Sequence, residues 1–195
     1  MTKFLQKLFF VLRFRYWATA SSFFRKAYYR FLGMQIGKGT QIPKIHVTWP
    51  HQIVLGQNCR LEHGIFFKYD GVWQEKKSII IKDNVFIGAN CEFNISDKIV
   101  IGEESMIASG CKFIDHNHST ELLPKRERKG DSRKKILIGK DVWLGVDVIV
   151  LAGVSLGDGC IVGAGAVISK SIPPYEIWGG VPAKKIKDRK LYDLR

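Results

Sequence analysis

The chain has 195 residues, enough for one domain with a substantial core, and its hydrophobic fraction of 46% argues against a largely disordered protein. Its 31 Lys and Arg against 18 Asp and Glu give a net charge of +13, and no acidic residue precedes Glu62. No apolar run reaches the roughly 18 residues that a membrane-spanning helix needs. A positive N-terminal third suits an anionic membrane surface, nucleic acid or a phosphorylated ligand.

Residues 1–35 are predicted to form an aromatic and basic helical segment. Residues 3–32 read as one or two helices, with Ser21-Ser22 as a break or a second cap and Gly33 at the C′ position. The segment could lie on anionic lipid as an interfacial helix, or it could cap the open end of the domain that follows. These two roles are compatible. Arg13 and Arg15 interrupt the apolar stretch, so we expect a retained segment rather than a signal peptide.

A six-residue period runs without a break through the last third of the chain. Its aliphatic positions are Ile138, Leu144, Val150, Leu156, Val162 and Ile168. Neither a helix nor a plain strand has this period, but one flat side of a triangular coil does, and three such hexads make one turn of a parallel β-helix. The pattern therefore predicts an all-β solenoid over 36–178, with a polar loop at 119–135 and a tail at 179–195 that ends in a short helix.

The four cysteines follow the same period. Each lies four places after a hexad aliphatic, at Cys59, Cys91, Cys111 and Cys160. This position is the small inward site of a coil, so we expect core fillers rather than disulfides or metal ligands. Unpaired cysteines suit a reducing cytoplasm.

The histidines at the mouth of the long loop are the main candidates for chemistry. In Asp115-His116-Asn117-His118, strand alternation places His116 and His118 on one face. Two histidines where a strict repeat breaks predict general base catalysis. A zinc site is the competing interpretation, because a His-x-His pair can hold the metal, but no third ligand has convincing spacing.

Together with this histidine motif, three further motifs resemble one family. They are Val142-Trp143-Leu144-Gly145, Gly163-Ala164-Gly165-Ala166 and Gly180-Val181-Pro182-Ala183. Over 36–188 the ordered set resembles the hexapeptide-repeat acyltransferases, in particular the sugar O-acetyltransferase branch with the galactoside, maltose, O-antigen and capsule-modifying enzymes. The resemblance implies a left-handed parallel β-helix, a homotrimer, and acetyl-CoA bound between neighbouring coils, with no metal.

The resemblance also implies roles for individual residues. His116 takes the place of the catalytic base, and the substrate side is formed by Asn94, His118 and Trp143. The pantetheine and phosphates of acetyl-CoA are expected at Ala164, Ser169 and Lys170, and its nucleotide at Lys184 and Lys187. The galactoside enzyme has arginines at the last two positions, so lysines keep the charge but lose bidentate geometry. Two plainer alternatives stay open, which are a subunit contact for Trp143 and a solvated basic tail for the lysines.

The function predicted from these observations is acetyl-CoA-dependent O-acetylation of a sugar in surface polysaccharide biosynthesis, without a covalent intermediate. The expected location is cytoplasmic, with peripheral contact to the inner face of the membrane. The main alternative is an N-acetyltransferase acting on a nucleotide-linked amino sugar. A metalloenzyme of the γ-carbonic anhydrase kind would need three convergent histidines. A non-catalytic nucleic-acid or membrane-binding protein would leave the histidine motif and the Gly-Val-Pro tail unexplained, so no nucleic-acid partner is expected.

Overall fold

The computed structural model describes residues 2–118 and 132–190, with only the backbone described at residues 14, 15 and 18. Short strands form three sheets, named A, B and C here. Sheet A contains β1 (Gln35–Ile36), β3 (Ile53–Leu55), β6 (Ile79–Ile81), β9 (Ile99–Ile101), β14 (Ile136–Ile138) and β17 (Ser155–Leu156). Sheet B contains β4 (Arg60–Leu61), β7 (Phe86–Ile87), β10 (Met106–Ile107), β15 (Trp143–Leu144), β18 (Ile161–Val162), β20 (Glu176–Gly179) and β21 (Lys184–Asp188).

Sheet C contains β2 (His46–Val47), β5 (Phe66–Tyr69), β8 (Glu92–Ile95), β11 (Lys112–Ile114), β16 (Ile149–Val150) and β19 (Val167–Ile168). The remaining elements are α1 (Lys3–Val11), a π-helical turn (Leu12–Trp17), α2 (Ala18–Phe31), a 3-10 turn (Pro50–Gln52), and the antiparallel pair β12 (His116–Asn117) and β13 (Ser132–Arg133).

From β3 to β19 the chain visits sheets A, B and C in the same order in every turn. Each strand therefore pairs in parallel with the strand one turn before or after it, as β6 does with β3 and β9. In that pairing Ile81 is in register with Leu55 on one side and Ile101 on the other, so hexad aliphatics stack on hexad aliphatics. The predicted repeat of short strands in stacked turns is confirmed.

The core consists of ladders of inward side chains. On sheet C, Phe67, Phe93 and Phe113 are fully buried and stack with 4.8 Å between successive ring centroids. Each such ring contributes about 1.5–3 kcal/mol by leaving water. All four cysteines are buried and unpaired in these ladders, which confirms their predicted place as core fillers.

Glycine sets how closely successive turns approach. A Cβ added at Gly145 would lie 2.6 Å from the backbone nitrogen of Ala164, one turn further along the chain. No side chain fits in that space. The glycine of Leu144-Gly145 thus has a physical reason, because it lets the turn at Ala164 lie directly against the turn that follows Trp143.

Helix α2 lies over the first turn of the coil. The Arg25 Nε donates to the Ile42 carbonyl at 2.8 Å, and the Ile42 N–H donates to the buried Ser22 Oγ at 2.8 Å. Arg30 donates to the Ile36 carbonyl at 2.7 Å. These bonds occupy backbone groups at the open end of the domain, so the capping role belongs to α2.

The helices agree with the sequence prediction at Gly33 and differ from it at Ser21-Ser22. Gly33 ends α2 with φ +89°, and the N–H groups of Gly33 and Met34 donate to the carbonyls of Arg30 and Tyr29, which is the predicted glycine C′ arrangement. Ser21-Ser22 do not break the helix, however, because the irregular turn lies before them at Leu12–Trp17. Within residues 2–118 and 132–190, no helix is both long and apolar enough to cross a membrane.

The described part of the C-terminal tail contains a strand. Lys184–Asp188 form strand β21, antiparallel to β20, and residues 189–190 have no regular structure. The backbone of β21 pairs with β20, and Lys185 adds ion pairs with Glu176 and Asp188 at 2.7 Å each. No helix begins within residues 179–190, and residues 191–195, where the predicted short helix would continue, lie outside the described part of the chain.

Candidate active site

His116 lies where the chain leaves sheet C, two residues after β11. Its imidazole is buried, with 7% of the residue exposed, and Nδ1 is 3.1 Å from Asp115 Oδ1 and 3.2 Å from Ser96 Oγ. The strand pair β12–β13 holds this position, with His116 opposite Arg133. The imidazole is thus fixed from one edge by two polar side chains.

Asp115 is the residue that organises this corner. It is completely buried, and its carboxylate accepts the N–H groups of Ser96 at 2.7 Å, Asp97 at 2.7 Å and Lys98 at 2.9 Å. Its carbonyl accepts the N–H of Lys134 at 2.8 Å, which ties in the chain as it returns from the loop. One side chain therefore joins the 96–98 turn to the base of the loop.

This arrangement determines the tautomer of His116. An ionised carboxylate can only accept, so the short contact from Asp115 Oδ1 places the proton on Nδ1. The Ser96 hydroxyl can share that proton as a second acceptor. Nε2 then carries a lone pair, and no described residue forms a hydrogen bond with it. A neutral imidazole held in this way can remove a proton from a hydroxyl group.

Asn94 lies one turn away from this histidine. It is in register with Ile114, which precedes His116 by two residues, and its Oδ1 is buried without a hydrogen-bond partner among the described residues. An unsatisfied buried acceptor costs about 1–3 kcal/mol, so it usually marks a place where water or a ligand donates. The exposed His118 lies beside the site, with 6.0 Å between its ring centroid and that of His116.

Trp143 lies on another side of the coil. It is on sheet B, 49% exposed, and in register with Met106 and Ile161. Met106 and Val146 are also exposed, at 51% and 49%, so the indole belongs to an apolar patch. His116 follows a strand of sheet C, so Trp143 and His116 do not lie on the same sheet of one chain.

The residues predicted to bind acetyl-CoA lie in the last turn and the tail. Ala164 is in an exposed turn before β19, whereas Ser169 and Lys170 follow β19 at the next corner. The tail reaches the same turn, since the Val167 N–H donates to Gly180 and the Ala183 N–H to Val167, at 3.1 and 2.9 Å. The structure therefore groups Ala164 with the start of the tail and leaves Ser169 and Lys170 at a different corner.

The three tail lysines are not equivalent. Lys185 is held by Glu176 and Asp188, and this pairing raises the pKa of Lys185 and lowers that of Glu176. Lys184 and Lys187 are exposed and form no ion pair with a described residue. Lys184 and Lys187, which the sequence analysis predicts to contact the nucleotide, are thus the tail lysines available to a phosphorylated ligand.

Sequence reasoning missed Asp115 and Ser96. Alternation assigned Asp115 to the face opposite His116, and its side chain does point inward, but the carboxylate still reaches Nδ1 of its neighbour. The sequence did contain a signal for Asp115, because this carboxylate occupies a position of the repeat that is apolar one turn earlier, at Ile95. Among the described residues no group of three or more His, Cys, Asp or Glu could hold a metal ion.

Comparison with known protein families finds hexapeptide repeats in two stretches of the chain. The profile "Bacterial transferase hexapeptide (six repeats)" matches residues 135–170, and "Hexapeptide repeat of succinyl-transferase" matches residues 78–111. Over these two stretches the chain carries the hexapeptide repeats of the acyltransferase family, as its motifs predicted.

Several relatives carry names that include acetyl transfer. A protein of Mycobacterium tuberculosis named as an acetyltransferase is 36% identical over 58% of this chain and 38% of its own length. WbbJ of Escherichia coli K12, named as an O-acetyl transferase of lipopolysaccharide biosynthesis, is 36% identical over 56% of this chain and 60% of its own length. WcaF of the same organism, named as a colanic acid biosynthesis acetyltransferase, is 29% identical over 82% of this chain and 72% of its own. The chain thus spans less than two thirds of the first two.

Solved structures show the same fold. A variant of AntD, an N-acyltransferase from Bacillus cereus in complex with dTDP-4-amino-4,6-dideoxyglucose and coenzyme A, has a TM-score of 0.74 at 24% identity, covering 85% of this chain and 90% of that one. A hexapeptide-repeat acetyltransferase from Vibrio cholerae has a TM-score of 0.63 at 25% identity, covering 87% and 81%. The Vibrio protein has also been solved with acetyl coenzyme A.

Proposed function

We propose that this protein transfers an acetyl group from acetyl-CoA to a sugar hydroxyl, with His116 as general base. The observation that carries the proposal is the 3.1 Å contact between Asp115 Oδ1 and His116 Nδ1, because it leaves Nε2 as a fixed proton acceptor. The family and the names of WbbJ and WcaF support acetyl transfer to a polysaccharide component.

The proposed reaction needs no covalent intermediate on the enzyme. The sugar oxygen attacks the thioester carbonyl while its proton passes to His116 Nε2, a contribution of about 10²–10⁴-fold in rate. A carbon–oxygen bond forms and the carbon–sulfur bond breaks. The proton then moves from the imidazolium to the departing thiolate, so the products are an acetyl ester and free coenzyme A. The four buried cysteines take no part.

The last turn and the tail fit an anionic co-substrate. Lys184 and Lys187 present exposed charges near the turn at Ala164, and Lys170 adds a third at the neighbouring corner. Phosphates of acetyl-CoA are attracted by such charges. We assign Ala164 and Ser169 to the pantetheine side and the three lysines to the phosphates.

We further infer a left-handed coil and a homotrimer in which neighbouring subunits share each site. The support is that Trp143 and His116 lie on different sheets of one chain, so the predicted acceptor wall needs sheet B of a partner subunit. Light scattering after size exclusion tests this, with a mass of three chains expected. Trp143→Ala in a mass-verified trimer should raise the acceptor KM, whereas a dissociated variant would assign Trp143 to assembly alone.

The acceptor class is tested with labelled acetyl-CoA and a panel of lipid-linked oligosaccharides, nucleotide sugars, free sugars and nucleotide-linked amino sugars. We expect mass spectrometry to show one added acetyl group on a hydroxyl, released by mild base. An amide stable to mild base would instead establish the second candidate, N-acetylation of an amino sugar, since the same imidazole can serve either nucleophile. No transfer to any acceptor, with intact acetyl-CoA binding, would refute both.

We place this reaction in the cytoplasm. The four free, buried thiols support a reducing compartment. Acetyl-CoA is also the co-substrate that this location supplies. Detection of the acetylated glycan only outside the inner membrane, in cells where the protein is found in the periplasm, would contradict the assignment.

A further inference from the structure

The N-terminal helix has an unpartnered apolar surface. No residue of α1 is buried, and Phe4, Phe9 and Trp17 are 72%, 59% and 71% exposed. Two shallow hollows of about 490 and 460 Å³ run along it, lined by Leu5, Leu8, Phe9, Leu12, Arg13 and Trp17, and they share Phe9 and Leu12. We call this continuous surface the apolar groove. Exposed apolar surface of this extent marks a site of interaction.

The apolar groove adjoins a second cleft, whose lining includes cationic side chains. This cleft of about 570 Å³ shares Arg13 and Trp17 with the groove, and Ser21, Arg25 and Lys44 also line it. We call it the cationic cleft. The Arg25 guanidinium is oriented by Ile42 O and Ser21 Oγ, both at 2.8 Å, so its charge is held in place before any ligand arrives. Three cations thus surround the end of an apolar channel.

The charge around this surface identifies the partner. The first acidic residue in the chain is Glu62, whereas ten Lys or Arg precede it, at 3, 7, 13, 15, 25, 26, 30, 38, 44 and 60. A second copy of the chain would bring like charges together, and nucleic acid would leave Phe4, Phe9 and Leu5 in water. An anionic phospholipid surface satisfies both features, since phosphate meets the cations and acyl chains meet the aromatics.

We propose that the apolar groove and the cationic cleft form one binding site for anionic phospholipid, with α1 lying in the membrane interface and a lipid phosphate in the cleft. Helix α2 remains on the coil through Ser22, Arg25 and Arg30, so the coil sits against the membrane. The two roles considered for the N-terminal segment are therefore divided, with capping in α2 and lipid contact in α1. This inference is independent of acetyl transfer.

The test uses the full chain in flotation with two kinds of vesicle, phosphatidylcholine alone and phosphatidylcholine mixed with phosphatidylglycerol. We expect binding to the mixed vesicles only. Each basic residue near an anionic surface contributes on the order of a few-fold in binding, so Arg13→Gln with Lys44→Gln should lower the partition coefficient at least tenfold. Lys82→Gln with Lys140→Gln removes the same charge from exposed positions that line neither the groove nor the cleft and should leave binding unchanged.

Two further experiments distinguish the contribution of the groove from that of the cleft, and lipid from free phosphate as the ligand. Leu5→Ser with Leu8→Ser changes only exposed side chains that line the groove and not the cleft, so it should preserve folding and also lower binding tenfold. Inorganic phosphate at millimolar concentration should not displace the protein from vesicles. Any of four results would overturn the proposal. They are equal binding to both vesicle types, an equal loss of binding in the Lys82/Lys140 control, release by free phosphate, and self-association that masks the helix. Acetyl transfer to a small sugar stays normal in every case, which keeps the two proposals separable.

Discussion

His116 Nδ1 lies 3.1 Å from Oδ1 of Asp115, the residue immediately before it in the chain. Adjacent residues in a strand normally point to opposite faces, but Asp115 is outside any strand, between the end of β11 at Ile114 and the start of β12 at His116. The end of the repeat thus brings a buried carboxylate and an imidazole together, and the predictions for catalysis follow from this pair.

Replacing His116 by Asn should lower kcat by about 10²–10⁴-fold, because the variant lacks the proton acceptor while the pantetheine and phosphate contacts remain. The imidazole is buried, so Asn is preferred to Ala to limit the loss of packing. Steady-state kinetics with acetyl-CoA and the identified acceptor provide the measurement, and circular dichroism checks the fold. His118→Asn is the matched control, with a smaller expected effect. If the control loses more activity than the His116 variant, His118 is the base.

Asp115→Asn should lower kcat more than it raises either KM, because Asp115 positions His116 and does not contact substrate. The change also replaces an acceptor of three backbone N–H groups, so the free energy of unfolding should fall by about 1–3 kcal/mol. Kinetics and urea denaturation measure the two effects separately. Glu103→Gln, which removes an acidic partner of Lys140 elsewhere on the coil, should change neither. A stability loss with unchanged kcat would make Asp115 purely structural.

The repeat could be predicted from sequence because each turn of the coil uses the same local rule. Ile81, Leu55 and Ile101 stack because the hexad places them at the same corner in successive turns. The tail follows no such rule. Strand β21 forms by antiparallel pairing with β20, in which Lys185 lies opposite Trp178, and a local period in the basic run does not reveal that partner.

The candidate site was only partly visible for a related reason. His116 and His118 stand out as a pair, but the role of Asp115 depends on the turn at 96–98, which the sequence places 17–19 residues away. Trp143 and His116 could be named from motifs, yet their separation onto sheets B and C appears only when the turns are stacked. Contacts between turns, rather than within a hexad, are what sequence reasoning could not supply.

Lys184→Glu with Lys187→Glu should raise the KM for acetyl-CoA at least tenfold and leave the acceptor KM nearly unchanged. These exposed lysines form no ion pair with a described residue, so reversing them turns attraction for the phosphates into repulsion. The control is Lys38→Glu with Lys82→Glu, the same charge change on early turns of the coil. Lys184→Arg with Lys187→Arg should keep the KM at or below that of the natural chain. Equal effects on both substrates would mean that the tail is a solvated surface.

The buried Cys160 thiol should make stability depend on alkaline pH. Burial raises the pKa of Cys160 from 9.0 to about 12 in the folded chain, so the unfolded chain loses this proton at a lower pH than the folded one. The stabilisation is therefore complete below pH 9 and is lost as pH rises toward 12, with a slope of up to about 1.4 kcal/mol per pH unit. Urea denaturation between pH 7.5 and 10.5 measures the slope. Cys160→Ala should be less stable at neutral pH, because it leaves a small cavity, but its stability should fall less steeply above pH 9. Parallel curves for the two proteins would show that Cys160 ionises equally in both states.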